Sequence, residues 1–159
     1  MREAASKVAP LESVRQQVEE ARGQGKTVAL ANGCFDVLHV GHVRYLQGAK
    51  AEAEVLVVGI NGDDSVRRLK GEGRPVMPAA DRALLIGALR ATDHVVVFEE
   101  DDVSRLLLTL RPDVHCKGTD YTEDTVPERE VVRSYGGRVA IVGDPKDHDT
   151  RHLLARIRE

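Results

Sequence analysis

The sequence predicts an α/β fold in which one parallel sheet carries helices on both faces, and three observations carry that expectation. Apolar runs at 27–31, 55–60 and 95–98 are continuous, not alternating, which marks strands buried on both sides. They alternate with stretches of helical period, the pattern of crossover connections between parallel strands. At 159 residues and 42% hydrophobic content, the chain has material for one well-buried core and too little for two ordinary domains.

The elements follow in order. Leu11, Val14, Val18 and Ala21 recur at helical spacing between Pro10 and the breakers Gly23 and Gly25. This amphipathic helix is assigned to an extension, 1–26, that packs on a core domain of 27–159. After the strand at 27–31 come Asn32 and Gly33, and then a helix opens near Gly41 and keeps its period through Val43, Leu46, Ala49 and Lys50. A second strand at 55–60 leads into a short helix at 63–69. Helix 82–90 precedes the strand 95–98, helix 102–110 precedes strand 113–117, and helix 128–135 precedes strand 138–142 across the Gly136 and Gly137 turn. The last helix, 150–158, sets Leu153, Leu154 and Ile157 on one face behind Asp149 as its cap.

Composition narrows the function. A formal charge of −3 offers no basic excess to hold a polyanion, and 3% aromatic residues without tryptophan offer little for base stacking, so nucleic acid is not the expected partner. The first ten residues mix charges with small side chains, and no later run approaches a membrane span, so no membrane association and a cytoplasmic location are expected. Cys34 and Cys116 stand far apart at strand ends, without a CxxC pair, and read as small hydrophobes, not as a disulfide.

Open parallel sheets bind ligands at the carboxyl ends of their strands, so the informative residues are those that follow strands. After the first strand the chain reads Asn32, Gly33, Cys34, Phe35, Asp36, Val37, Leu38, His39, Val40, Gly41, His42. Gly33 and Gly41 allow close backbone approach, and the opening turn of a helix supplies unpaired N–H groups and a positive dipole end, together an anion site. His39 and His42, three apart, can place two imidazoles on one anion. A pair with one ring capping and one exposed is the structural alternative, and zinc ligation lacks a nearby third ligand.

This stretch resembles the His-x-Gly-His signature of the nucleotidyltransferase superfamily. Asn61 to Gly71, then Arg74-Pro75-Val76, Asp81-Arg82 and Lys117-Gly118-Thr119-Asp120-Tyr121 are similar to segments of bacterial heptose 1-phosphate adenylyltransferases, in order from about residue 27 to residue 158. Those enzymes occur alone or as the carboxyl-terminal half of a bifunctional kinase/adenylyltransferase. The resemblance implies a single Rossmann-like domain with a five-stranded parallel sheet. It implies transfer of AMP from ATP to a sugar 1-phosphate, with Mg²⁺ accompanying ATP and no assigned protein ligand for the metal. It also implies a homodimer, and, with no kinase half in the chain, a phosphorylated sugar supplied by a separate protein.

By the same resemblance His39, His42, Lys117 and Arg82 are the expected catalytic residues. Asn32, Gly33, Cys34, Phe35, Asp36, Gly41, Asp63, Gly118, Asp120 and Thr150 are the expected nucleotide-binding residues, joined by Arg151 as a cation beside Asp149. Asp63 has an alternative reading as a helix cap, Arg82 as a solvated helix charge, and Lys117 as a strand-end lysine. Lys70 and Arg74, in a Gly-rich loop, either close over phosphates or belong to a plain connector.

The pattern breaks before the last helix, where relatives carry a hydroxyl run for the terminal phosphates and this chain has Asp147-His148-Asp149-Thr150-Arg151. Asp149 is an excellent cap and also a negative charge where phosphate is expected. Enzymes transferring CMP to glycerol 3-phosphate or AMP to FMN, and a nucleotide-binding module without turnover, remain the alternative functions.

Overall fold

The structure, a computed structural model, describes residues 2–145 and 149–159. Asp147 and His148 of the pre-helix run lie outside the described residues. Five strands, β1 (Val28–Gly33), β2 (Val55–Asn61), β3 (His94–Phe98), β4 (Val114–Lys117) and β5 (Arg138–Ile141), form one sheet in the order β3-β2-β1-β4-β5. Every pairing is parallel, with Ala31 opposite Val58 on one side and Cys116 on the other. The chain therefore builds outward from β1 to β3 and then returns to the other side of β1. The reversal lies between β1 and β4.

The helices are α1 (Ala4–Lys7), α2 (Leu11–Gly23), α3 (Val40–Ala51), α4 (Asp63–Lys70), α5 (Ala79–Gly87), α6 (Ser104–Leu110), α7 (Arg129–Ser134) and α8 (Thr150–Ile157), with a 3₁₀ turn at Glu123–Thr125. Leu46 and Ala49 of α3 and Ala83 and Ile86 of α5 cover one face through Ala29, Ala31, Leu56, Val58 and Ile60. On the opposite face, Val14, Val18 and Ala21 of α2, Leu106, Leu107 and Leu110 of α6, and Val132 of α7 pack on Val28, Leu30, Val57 and Val96. Both faces are dry, which is why the strands read as unbroken apolar runs.

The amino-terminal segment is tied to the core at several points. Residue Val8 forms an isolated parallel bridge to Val95, the Lys7 ammonium donates to the Leu89 carbonyl, and α2 is part of the second core cluster.

Helix α5 begins at Ala79, three residues ahead of the expected start, because Pro78 (φ −64°) takes the N-cap position with a backbone already fit for entering a helix. Two short elements had no periodic signal: α1, with four residues, and the 3₁₀ turn, with three, which Thr125 Oγ1 closes by accepting from the Thr122 N–H. Neither is long enough to show a face.

Candidate active site

A cleft of about 350 Å³ opens at the carboxyl ends of β1 and β4, where the strand order reverses. Its floor is the end of β1 at Asn32 and Gly33 and the loop from β1 to α3 with Cys34, Phe35 and Asp36, followed by the amino end of α3.

Helix α3 is capped by its own histidines. His39 occupies the N-cap in an extended conformation, and its Nδ1 accepts from the Gly41 N–H at 3.1 Å. His42 Nδ1 accepts from the His39 N–H at 3.3 Å. The rings lie 3.8 Å apart with planes 22° from parallel. An Nδ1 that accepts a backbone hydrogen bond cannot hold a proton, so the neutral ring carries its proton on Nε2. Both histidines line the cleft, and capping and anion binding are therefore compatible uses of the same rings.

Phe35 buttresses the pair, edge-on to His42 at 5.3 Å and stacked on Tyr45 at 6.4 Å. Gly33 makes room for that ring, since a Cβ there would stand 3.2 Å from Phe35 Cε2.

The loop doubles back through two left-handed residues, Phe35 (φ 49°) and Val37 (φ 60°). For a β-branched residue this conformation is strained and persists only where the surroundings over-determine it. Asp36, 1% exposed between them, supplies the constraint. Its carboxylate accepts from Arg74 Nε at 2.7 Å, the Val76 N–H at 2.8 Å and the Met77 N–H at 3.0 Å, and its carbonyl accepts from Thr150 Oγ1 at 2.8 Å. Burial by itself raises this carboxyl, but the hydrogen bonds from Val76, Arg74 and Met77 outweigh it and hold the pKa below the usual aspartate value. One side chain thus joins the floor loop to residues 74–77. Lys70, at the end of α4, and Arg74, in the Gly-rich loop that follows, both line the cleft.

The structure corrects the expectation for Arg82. Its side chain is 0% exposed and lies outside the cleft lining. Nε donates to Met77 O at 2.9 Å, Nη1 to Cys34 O and to Asn61 O, each at 2.7 Å, and Nη2 to Asp63 Oδ1 at 2.8 Å. Asp63, likewise outside the lining, also accepts from the Ala79 N–H at 2.8 Å. Arg82 is not the solvated helix charge of the alternative reading, and all four of its contacts are to the protein. It ties the ends of β1 and β2 to the amino end of α5, and the fork geometry of a guanidinium is what reaches four acceptors at once.

On the β4 side, Lys117, Gly118 and Asp120 line the cleft. Lys117 Nζ sits 4.6 Å from the centre of the Tyr121 ring. Burial lowers its pKa, with Glu128 and Asp120 opposing. Thr150, Arg151 and the capping Asp149 complete the wall at the start of α8. Asp149 Oδ1 accepts from the His152 N–H at 2.6 Å, and its other oxygen stands 4.0 Å from Arg151 Nη2.

Cys34 lines the cleft with its thiol pushed up by burial, and Cys116 is buried and pushed up to about 12; both are free. No group of three or more metal-ligating side chains occurs among the described residues.

Sequence reasoning missed Tyr45. Its hydroxyl donates to Cys116 O at 2.6 Å and accepts from the Asn32 N–H at 3.4 Å, joining the ends of β1 and β4 beneath the cleft. Its position three residues after His42, on the same helical face, was the available signal.

A sheet reversing beside its first strand, with an imidazole pair capping the first crossover helix, defines a member of the cytidylyltransferase-like family. That family's model matches residues 30–153, and the chain belongs to it. Among its relatives are the bifunctional protein HldE of Syntrophotalea carbinolica and that of Geobacter sulfurreducens, each 48% identical over 152 residues, covering 96% of this chain and 31% of the relative. The chain thus spans about a third of the length of these curated relatives. The lipopolysaccharide core biosynthesis protein from Thermoplasma volcanium GSS1 matches in structure with a TM-score of 0.65 and 27% identity, covering 77% of this chain and 100% of that one. No helix among the described residues is long and apolar enough to cross a membrane.

Proposed function

We propose that this chain transfers AMP from ATP to a sugar 1-phosphate, with heptose 1-phosphate as the favoured acceptor, releasing pyrophosphate. The observation that carries the reading is the tautomer imposed on His39 and His42, which puts each ring's proton on Nε2, the atom able to donate to an anion at the mouth of α3. The similarity to HldE proteins supports the choice of acceptor.

In this mechanism a phosphate oxygen of the acceptor attacks the α-phosphorus in line. The new O–P bond forms as the bond to the β-phosphate oxygen breaks, and the electron pair leaves on pyrophosphate. His39 and His42 donate to the α-phosphate oxygens as their charge grows, a contact stronger in the transition state than in the ground state. Lys117 holds a reactant phosphate, and Lys70, Arg74 and Arg151 surround the triphosphate with positive charge. Asn32, Gly33, Cys34, Phe35 and Gly41 shape the floor, Gly118, Asp120 and Thr150 the wall. Asp36, Asp63 and Arg82 act by position, holding the floor loop and strand ends in register. Mg²⁺ bound to ATP would screen the triphosphate charge while keeping most of its waters. A homodimer acting in the cytoplasm, where ATP is available, completes the proposal.

Asp149 favours a second reading, nucleotide binding without turnover, because its carboxylate stands at the wall where terminal phosphates would lie. Incubation with each nucleoside triphosphate, Mg²⁺ and a panel of sugar phosphates, glycerol 3-phosphate and FMN separates the two. Pyrophosphate release with ATP and one sugar 1-phosphate supports transfer; tight ATP binding without release under every acceptor overturns it.

A further inference from the structure

His115 lies within β4, fully buried and two residues before Lys117. Its Nε2 stands 2.9 Å from Asn32 Oδ1, and its Nδ1 is buried with no hydrogen-bond partner among the described residues. Burial, reinforced by the Lys117 ammonium, pushes this imidazole down to about 3, so the ring holds a single proton at neutral pH. That proton has two places. On Nδ1 it would be a buried donor with nothing to receive it, and Asn32 would have to turn its NH₂ inward. On Nε2 it bonds to Oδ1, and only a lone pair stays unmatched. Orphaned buried N–H donors are the rarer defect, so the second arrangement prevails.

With Oδ1 engaged, the amide nitrogen is the end of Asn32 left for the cleft that this residue lines. A carboxamide free to rotate would have to lose that freedom on turning its nitrogen to an anionic ligand. We propose that His115 is a positioning residue for nucleotide binding: its Nε2–H fixes the Asn32 carboxamide so that an NH₂ donor faces an acceptor atom of the bound nucleotide. The proposal rests on the nucleotide-binding reading above. It assigns His115, which lies outside the cleft lining, an effect on affinity through Asn32 alone.

Two measurements on the full chain test it. Nitrogen NMR of histidine-labelled protein should show the His115 proton on Nε2 throughout the neutral range; a proton on Nδ1 overturns the proposal whether or not the chain is an enzyme. ATP affinity is then measured for His115→Leu, Asn32→Ala and the double variant. Each single change should weaken binding about tenfold, the worth of one oriented hydrogen bond, and the double should be no weaker than Asn32→Ala. His115→Gln, whose amide can donate to Oδ1, should restore much of the loss and serves if the leucine variant does not fold. Independent, multiplicative losses would overturn the coupling. Absence of pyrophosphate release from the wild type would remove the transfer reaction but leave the ring's proton and the affinity cycle to decide the role of His115.

Discussion

Asp36 and Arg74, 38 positions apart, meet at 2.7 Å with side chains 0% and 12% exposed, and that contact fastens the Gly-rich loop to the floor of the cleft. Asp36→Asn keeps the shape but removes the charge and leaves Arg74 without its buried partner. A loss of about 3 kcal/mol is expected, the range for breaking a buried pair, read as a lower denaturant midpoint with unchanged slope. The pH dependence follows from the same bonds. A carboxyl held below its unfolded value of about 3.9 contributes fully above that value and loses the contribution as pH falls through the folded pKa. Acid unfolding of the wild type should therefore be steeper below about pH 4 than that of Asp36→Asn.

Arg82→Met should be among the most damaging single changes in the chain. It strands the carbonyls of Cys34, Asn61 and Met77 and takes one of its donors from the Asp63 carboxylate, and about 3 to 5 kcal/mol of stability should go with them. Arg82→Lys should recover only part, because one ammonium cannot span four acceptors. Thermal melting of both variants checks this; a lysine variant as stable as the wild type would contradict the strut role.

His42→Ala should lower the rate of pyrophosphate release about a hundredfold, as for loss of one transition-state donor. The helix cap is weakened as well, since the His39 N–H loses its acceptor, so a modest fall in melting temperature should accompany the change. His42→Asn, which can still accept from that N–H, should restore stability without restoring the rate.

Lys117 titrates below an ordinary lysine because burial disfavours its ammonium, so the charge proposed to hold phosphate is lost earlier as pH rises. The alkaline limb of kcat/KM should fall below the usual lysine range of about 10.4. Lys117→Arg, charged throughout, should flatten that limb even where its absolute rate is lower. An alkaline limb identical in both proteins would show that another group sets it.

The sequence by itself determined the local terms of this molecule. Continuous Val, Ile and Leu runs could be stable only as doubly covered parallel strands, and helical period fixed which stretches cross over between them. Because ligands gather where such strands end, His39 and His42 were legible as candidates for a cleft, and the resemblance added Lys117 and Gly118 to it. Tertiary structure alone decided what the remaining charges do. Arg82 looked like a phosphate contact and is instead consumed by acceptors from four places in the chain. Lys70 and Arg74 could equally have belonged to a slack connector until Asp36 pinned the loop that carries them. Whether a charged side chain faces a ligand or the protein depends on acceptors that converge from distant segments, and no period or spacing along the chain encodes that convergence.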